Sequence, residues 1–284
     1  MKIGCNTLYP GGLLANGTDF TVAVTRQALD KLQAVGYLAC EYSHCDHWTL
    51  DEAREVGAYA RERGLQNWSC HTWRQAVSVP SEASTSSAEE LGQQLCQCVQ
   101  VCAALGSRVL VIHAPLQLGL KLLDRDPAEL MRFDLAALRP ARDRAADLGV
   151  ELALENGRHL DHFQYVLQLL ETLDAAHVGI CVDVGHANLG TLGAARAVRM
   201  AGEKLLTTHL HDNHGQFDDH LPPGQGAVAW ADVFRALSEV RYSRPLILEL
   251  SDNVRHRPYD QDLELRQGLD NVRRYCDVSG VPSA

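Results

Sequence analysis

Eight times along the chain, a short run rich in Val, Ile and Leu gives way to a longer stretch of helical period, with no break in composition between units. The apolar runs lie at 2–8, 37–43, 66–71, 107–113, 150–155, 178–183, 205–211 and 245–250. The helical stretches lie near 20–35, 49–63, 87–105, 127–148, 161–174, 192–203, 230–240 and 260–276. Strands apolar on both faces and separated by helices read as a parallel sheet covered by helices. Eight such units predict a single closed (β/α)8 barrel, a fold of roughly 250 residues that suits a chain of 284. The rival is a doubly wound open sheet, which often carries a glycine-rich phosphate loop; no GxGxxG or GxxxxGK[ST] follows any of these runs.

Local signals agree with this segmentation. Gly36, Gly64, Gly106 and Gly149 stand where helices would end in a left-handed cap just before a strand. Ser87 with Glu90, and Thr49 with Glu52, have the spacing of capping boxes. The one long polar stretch, 74–88, is expected to be a loop over one mouth of the barrel. A net charge of −10 with 46% apolar and 22% charged residues excludes a disordered chain. No apolar run approaches the ~20 residues of a membrane helix, and MKIGCNTLYP lacks a charged-then-apolar leader, so a cytoplasmic protein without a membrane partner is expected. The nine cysteines contain no CxxC pair and mostly sit in apolar runs, which reads as core packing, Cys98 and Cys102 included. Only four of the 26 basic residues are lysine, which disfavours nucleic acid as the main partner. Self-association into a homo-oligomer is left open.

Chemistry is expected where acids and imidazoles close strand after strand, because in a barrel those ends converge on one pocket. His71 ends run three, His113 run four, Glu155 run five, Asp183 with His186 run six, His211 run seven and Glu249 run eight. A lone histidine at a strand end is commonly structural, but six consecutive strands repeat the pattern. Carboxylates such as Glu155 and Glu249 inside apolar strands need a cation or a partner. A divalent metal supplies one, and arginine pairing is the alternative.

The segments ALEN, ICVDVGHAN, HLHDN, DDHLPPGQG and LILEL resemble the xylose isomerase-like TIM-barrel superfamily, in particular its sugar phosphate isomerase/epimerase branch, over essentially the whole chain. The resemblance implies one domain spanning residues 1–284 and a divalent ion (Mn, Mg, Co or Zn) held by Glu155, Asp183, His211 and Glu249. It also implies proton transfer on a small sugar-like carbonyl compound. A carbon acid beside a carbonyl is too weak for a side chain unless the enediolate oxygens are stabilised by a cation. Glu155 and Glu249, on strands five and eight of one ring, could face each other across the sugar as base and acid. His71, His113, His186, Trp73 and Arg158 are candidate substrate contacts.

A second resemblance gives the rival function. His71, His113, His186, Asp218 and His220, added to those four ligands, resemble the nine-ligand set of the endonuclease IV branch, which carries three zinc ions and cleaves abasic DNA. The flanking CHTW, HAP and DVGH differ from that branch. The chain also departs from ketohexose 3-epimerases, which have arginine six residues past the strand-seven ligand; position 217 is Phe217. Around the pocket, Arg74, Arg158, Arg255 and Arg257 mix with Glu41, Asp46, Asp161, Asp218, Asp219 and Asp252, a poor surface for a duplex. Glu41 and His44, at the end of strand two, are either substrate contacts or, by default, solvated rim positions, while Trp48, Trp73 and Trp230 are either a wall against a sugar or core lids.

Overall fold

The glycines placed at helix ends act there as expected. In the computed structural model, Gly36, Gly106 and Gly149 adopt φ of 103°, 75° and 68° as helix caps, and Gly64 adopts 74° one residue after a cap. Thr49 with Glu52 and Ser87 with Glu90 form complete capping boxes. The structure describes residues 1–8, 20–45, 47–72, 87–114, 116, 126–251 and 260–281.

These caps punctuate the order β1 (Ile3–Asn6), α1 (Val22–Val35), β2 (Ala39–Ser43), α2 (Leu50–Glu62), β3 (Gln66–His71), α3 (Ala88–Leu105), β4 (Val109–His113) and α4 (Pro127–Leu148). There follow β5 (Glu151–Glu155), α5 (Leu160–Leu173), β6 (Val178–Asp183), α6 (Val184–Asn188), α7 (Ala194–Ala201), β7 (Leu205–Leu210), α8 (Trp230–Glu239), β8 (Leu246–Leu248) and α9 (Gln261–Ser279). All strands are parallel, each pairs with the next, and β8 pairs with β1, so the sheet closes as a single (β/α)8 barrel. Ala39, Trp68, Val109, Val111, Ala153, Cys181, Leu206 and Ile247 fill the barrel interior, while a larger apolar cluster joins strands to helices. All nine cysteines are free. No helix among the described residues is long and apolar enough to cross a membrane.

The differences from expectation are local. The runs 2–8 and 245–250 contribute only Ile3–Asn6 and Leu246–Leu248 to the sheet, and helix 192–203 is Ala194–Ala201 followed by a 3-10 turn, Gly202–Lys204. Of the polar stretch 74–88, Ser87 caps α3 and Ala88 begins it; the rest lies outside the described residues. The five-residue α6 was not foreseen: it is too short to show a period, and it starts because the Asp183 carboxylate accepts from the His186 N–H at 2.6 Å.

Candidate metal centre

Strand register places the polar side chains at one end of the barrel. Glu155 pairs with His113 across β4 and β5, and Asp183 pairs with His209 across β6 and β7. Glu155, Asp183, His209 and Glu249 bring one donor atom each to within 4.8 Å of one another. Glu155 Oε1, His209 Nδ1 and Glu249 Oε2 are all buried and lack a hydrogen-bond partner. His209 Nδ1 lies 3.3 Å from Glu155 Oε1, 3.4 Å from Glu249 Oε2 and 3.8 Å from Asp183 Oδ2. Such spacings are those of atoms sharing a cation: donors each about 2.1 Å from a tetrahedral ion stand roughly 3.4 Å apart. Three carboxylates without an arginine partner among the described residues, plus one imidazole, fit a divalent metal.

The strand-seven histidine in this quartet is His209, where His211 was expected. Both point inward, because side chains two apart share a face. Both lie against Asp183, but His209 is the one that also meets Glu155 and Glu249; the sheet holds it directly opposite Asp183, past an irregularity at Ile180/Cys181 where β7 has an extra residue against β6. His211 packs just above, its Nε2 donating to Asp183 at 3.0 Å. Its ring fills the space that a Cβ on Gly185 would occupy, 1.9 Å from His211 Cε1.

Glu41 is the residue that sequence reasoning misplaced. It is fully buried below the quartet rather than solvated, and accepts from His209 Nε2 at 3.0 Å and from Ser69 Oγ at 2.7 Å. A carboxylate on the far ring nitrogen fixes the imidazole's tautomer and leaves Nδ1 to face the acids. Burial alone would raise the pKa of Glu41, but the His209 imidazole outweighs it and holds it below the ordinary carboxylate range.

One further group, His71, His209 and Glu249, overlaps the quartet, and two flank it. His71, His113 and Glu155 form one, with His71 Nε2 at 3.1 Å and His113 Nδ1 at 3.5 Å from Glu155 Oε2. His186, His211, Asp218 and His220 form the other; His186 Nε2 lies 3.0 Å and His220 Nε2 3.6 Å from Asp218 Oδ2. His71 Nδ1, His186 Nδ1 and His220 Nδ1 face the backbone carbonyls of Thr72, Asn156 and Glu249, and each aims its other nitrogen inward. Glu155 thus divides its oxygens between the first flanking group and the quartet.

Electrostatics separate the two glutamates. Burial opposes the charged form of Glu155, but the His113 and His209 imidazoles overcome it and hold its carboxyl well below the usual range. Burial dominates at Glu249 and pushes it up. Desolvation brings His113 down to about 4, whereas Asp218 overcomes the burial of His220 and raises it to about 9.

Arg158 is half-exposed, 3.7 Å from Asp218 Oδ2, at the edge of the site. Trp48 and Trp230 are buried core residues rather than a substrate wall, their indole N–H groups donating to Phe20 O and Asp212 Oδ2 at 2.7 Å each. His44 is buried against Phe20 in left-handed backbone, φ 56°, not at a solvated rim. Trp73, with Asp46, Arg74, Asp252, Arg255 and Arg257, lies outside the described residues.

The profile of the family described as xylose isomerase-like TIM barrel matches residues 29–275. A ketose 3-epimerase of Arthrobacter globiformis is 28% identical over 259 residues, 88% of this chain and 83% of the relative. The structure of an L-ribulose 3-epimerase superposes with a TM-score of 0.82 at 18% identity, covering 98% of this chain and 95% of that one. The IolI protein, solved with a bound zinc atom, superposes with a TM-score of 0.70 at 19% identity, covering 99% and 98%.

Proposed function

The chain belongs to the xylose isomerase-like TIM-barrel family, and from that premise we propose that it is a divalent-metal-dependent isomerase or epimerase of a sugar, sugar phosphate or related polyol carbonyl compound. The observation that carries this reading is the set of three buried, unpartnered donor atoms on Glu155, His209 and Glu249, with Asp183 beside them. The similarity to a ketose 3-epimerase over most of both chains supports the reaction class. Glu155, Asp183, His209 and Glu249 would hold the ion, with His209 rather than His211 as the strand-seven ligand. A donor set of three carboxylates and one imidazole suits Mn, Mg or Co, while the imidazole-rich groups on either side suit Zn.

A divalent ion held by these residues would stabilise negative charge developing on substrate oxygen, and so make a C–H beside a carbonyl acidic enough for a carboxylate to remove. Proton transfer falls to Glu155 and Glu249, which come from β5 and from just beyond β8 and whose environments drive their pKa values apart. Two carboxylates in environments that differ in this way can divide removal and return of the proton between them. His71, His113 and His186 orient substrate hydroxyls; the Nδ1 atoms of His71 and His186 are fixed by backbone carbonyls, while His113 turns Nδ1 toward Glu155. Arg158 stands where it can meet a polar or anionic end of the substrate. The residue six past His209 is Gly215, so the arginine of ketohexose 3-epimerases is missing on this register too. The test is turnover of a panel of ketoses, aldoses and their phosphates by metal-loaded protein. Activity should vanish with chelator and return with added ion; turnover indifferent to chelation refutes the reading.

The quartet and the two donor groups that flank it favour one second reading, a zinc-dependent phosphodiesterase of the endonuclease IV kind acting on abasic DNA. It expects three ions per chain and nicking of an abasic duplex; the sugar reading needs only the quartet filled.

A further inference from the structure

The opposite mouth of the barrel plays no part in the proposed chemistry, yet it is built from cations. Lys2 precedes β1, Arg108 precedes β4 and Arg244 precedes β8, and together with Gln66, Trp68 and Ser243 they line a cavity of about 460 Å³. Trp68, almost fully buried, forms the floor, its N–H spent on Thr207 Oγ1 at 3.0 Å. The only carboxylate that pairs with these cations among the described residues is Glu151, at the start of β5.

Glu151 is shared. Arg244 grips it with two bonds of 2.6 and 3.0 Å, reaching past β6 and β7, and Arg108 Nε meets the same Oε2 at 2.8 Å. Two guanidinium groups on one carboxylate oxygen leave one positive charge uncompensated. Lys2, exposed at the rim, makes no ion pair with any described residue. The well therefore carries about two net positive charges in a protein whose formal charge is −10 and which has only four lysines. Arg108, 63% exposed, keeps donors free for a ligand beyond its contact with Glu151. Clustered guanidinium forks match tetrahedral oxyanions in shape as well as charge. Gln66 and Ser243 add neutral donors.

We propose that this axial well, at the end of the barrel opposite the metal centre, is a binding site for a phosphate group, carried either by free phosphate or by a phosphate monoester. The two sources share the chemistry of the dianion, and a cavity of about 460 Å³ exceeds what a phosphate group alone would fill.

The test is calorimetric titration of the metal-loaded protein with inorganic phosphate and, separately, with glycerol 3-phosphate, in chloride of matched ionic strength. The comparison is with a Lys2→Gln/Arg108→Gln double variant, which changes only exposed side chains and spares the Arg244–Glu151 pair. Arg54→Gln, an exposed cation on α2, is the control. The expected result is saturable binding that weakens about tenfold or more in the double variant and is unchanged in Arg54→Gln. Tighter binding of the monoester would identify the ligand as a phosphorylated metabolite, and equal binding would identify the phosphate group alone. Phosphate held at the metal centre would persist in the double variant. Such persistence, or no binding beyond the chloride baseline, overturns the proposal while leaving the sugar reading untouched.

Discussion

Glu249 is the residue on which the proposed chemistry turns. Replacing it by Gln keeps an oxygen for the ion but removes the ability to take up a proton. Glu249→Gln should therefore retain much of the metal content while losing nearly all turnover. Activity within about tenfold of the unaltered protein, a barrier change of only ~1.4 kcal/mol, would contradict the acid–base role. Glu41 acts one step further away, through His209. Glu41→Ala should weaken metal affinity about 10- to 100-fold, read by competition with a chelating dye, with a smaller loss of kcat once the ion is saturating. Asp134 gives a residue-scale prediction away from the site. Buried on α4, it accepts from Tyr165 at 2.7 Å, and desolvation raises its carboxyl from 3.8 to about 7. Because the folded state prefers the protonated form, its contribution is fully present below pH 3.8 and is lost as pH rises through about 7. Relative to Asp134→Asn, the unaltered protein should lose up to ~1.4 kcal/mol per pH unit across that window, measured by urea unfolding. Parallel pH profiles would mean Asp134 folds charged.

At the scale of elements, the segment after β7 depends on one buried carboxylate. Asp212 accepts four hydrogen bonds, from the backbone N–H groups of Asn213, Gly224 and Val228 and from the Trp230 indole, at 2.7 to 3.0 Å. It also pairs through its backbone with Leu221, closing the turn that carries Asp218 and His220. Asp212→Ala should cost roughly 3 kcal/mol in urea unfolding, since several buried donors lose their partner together. It should also lower metal uptake by the Asp218–His220 group more than by the quartet; an undisturbed uptake would show that the turn holds itself. None of this was legible in HLHDN as letters, though the histidines and acids were. Period-two alternation sends His209 and His211 to the same face, and only the three-dimensional packing shows that His209 meets Glu155 and Glu249 while His211 meets Asp183. Glu41 was misread for a similar reason: a carboxylate at a strand end looks solvated until its histidine partner, 168 positions away, is brought against it.

For the whole molecule, the eight-fold alternation was enough to predict the closed barrel, because parallel strands covered by helices leave few other closures. It also placed the acids and imidazoles at one mouth, where the quartet and its adjoining donor groups meet. Strand ends and α6 were less legible, since they depend on single hydrogen bonds such as that from His186 N–H to Asp183. The central claim is that this mouth moves a proton on a sugar-like carbonyl compound with the help of a metal. The most direct measurement is incorporation of solvent deuterium. Metal-loaded protein is incubated in D₂O with a panel of ketoses, aldoses and their phosphates, beside an abasic duplex, each with and without chelator. The account predicts deuterium at a carbon next to the carbonyl of at least one sugar, abolished by chelator, with the duplex intact. Metal-dependent nicking of the duplex with no exchange on any sugar would contradict it.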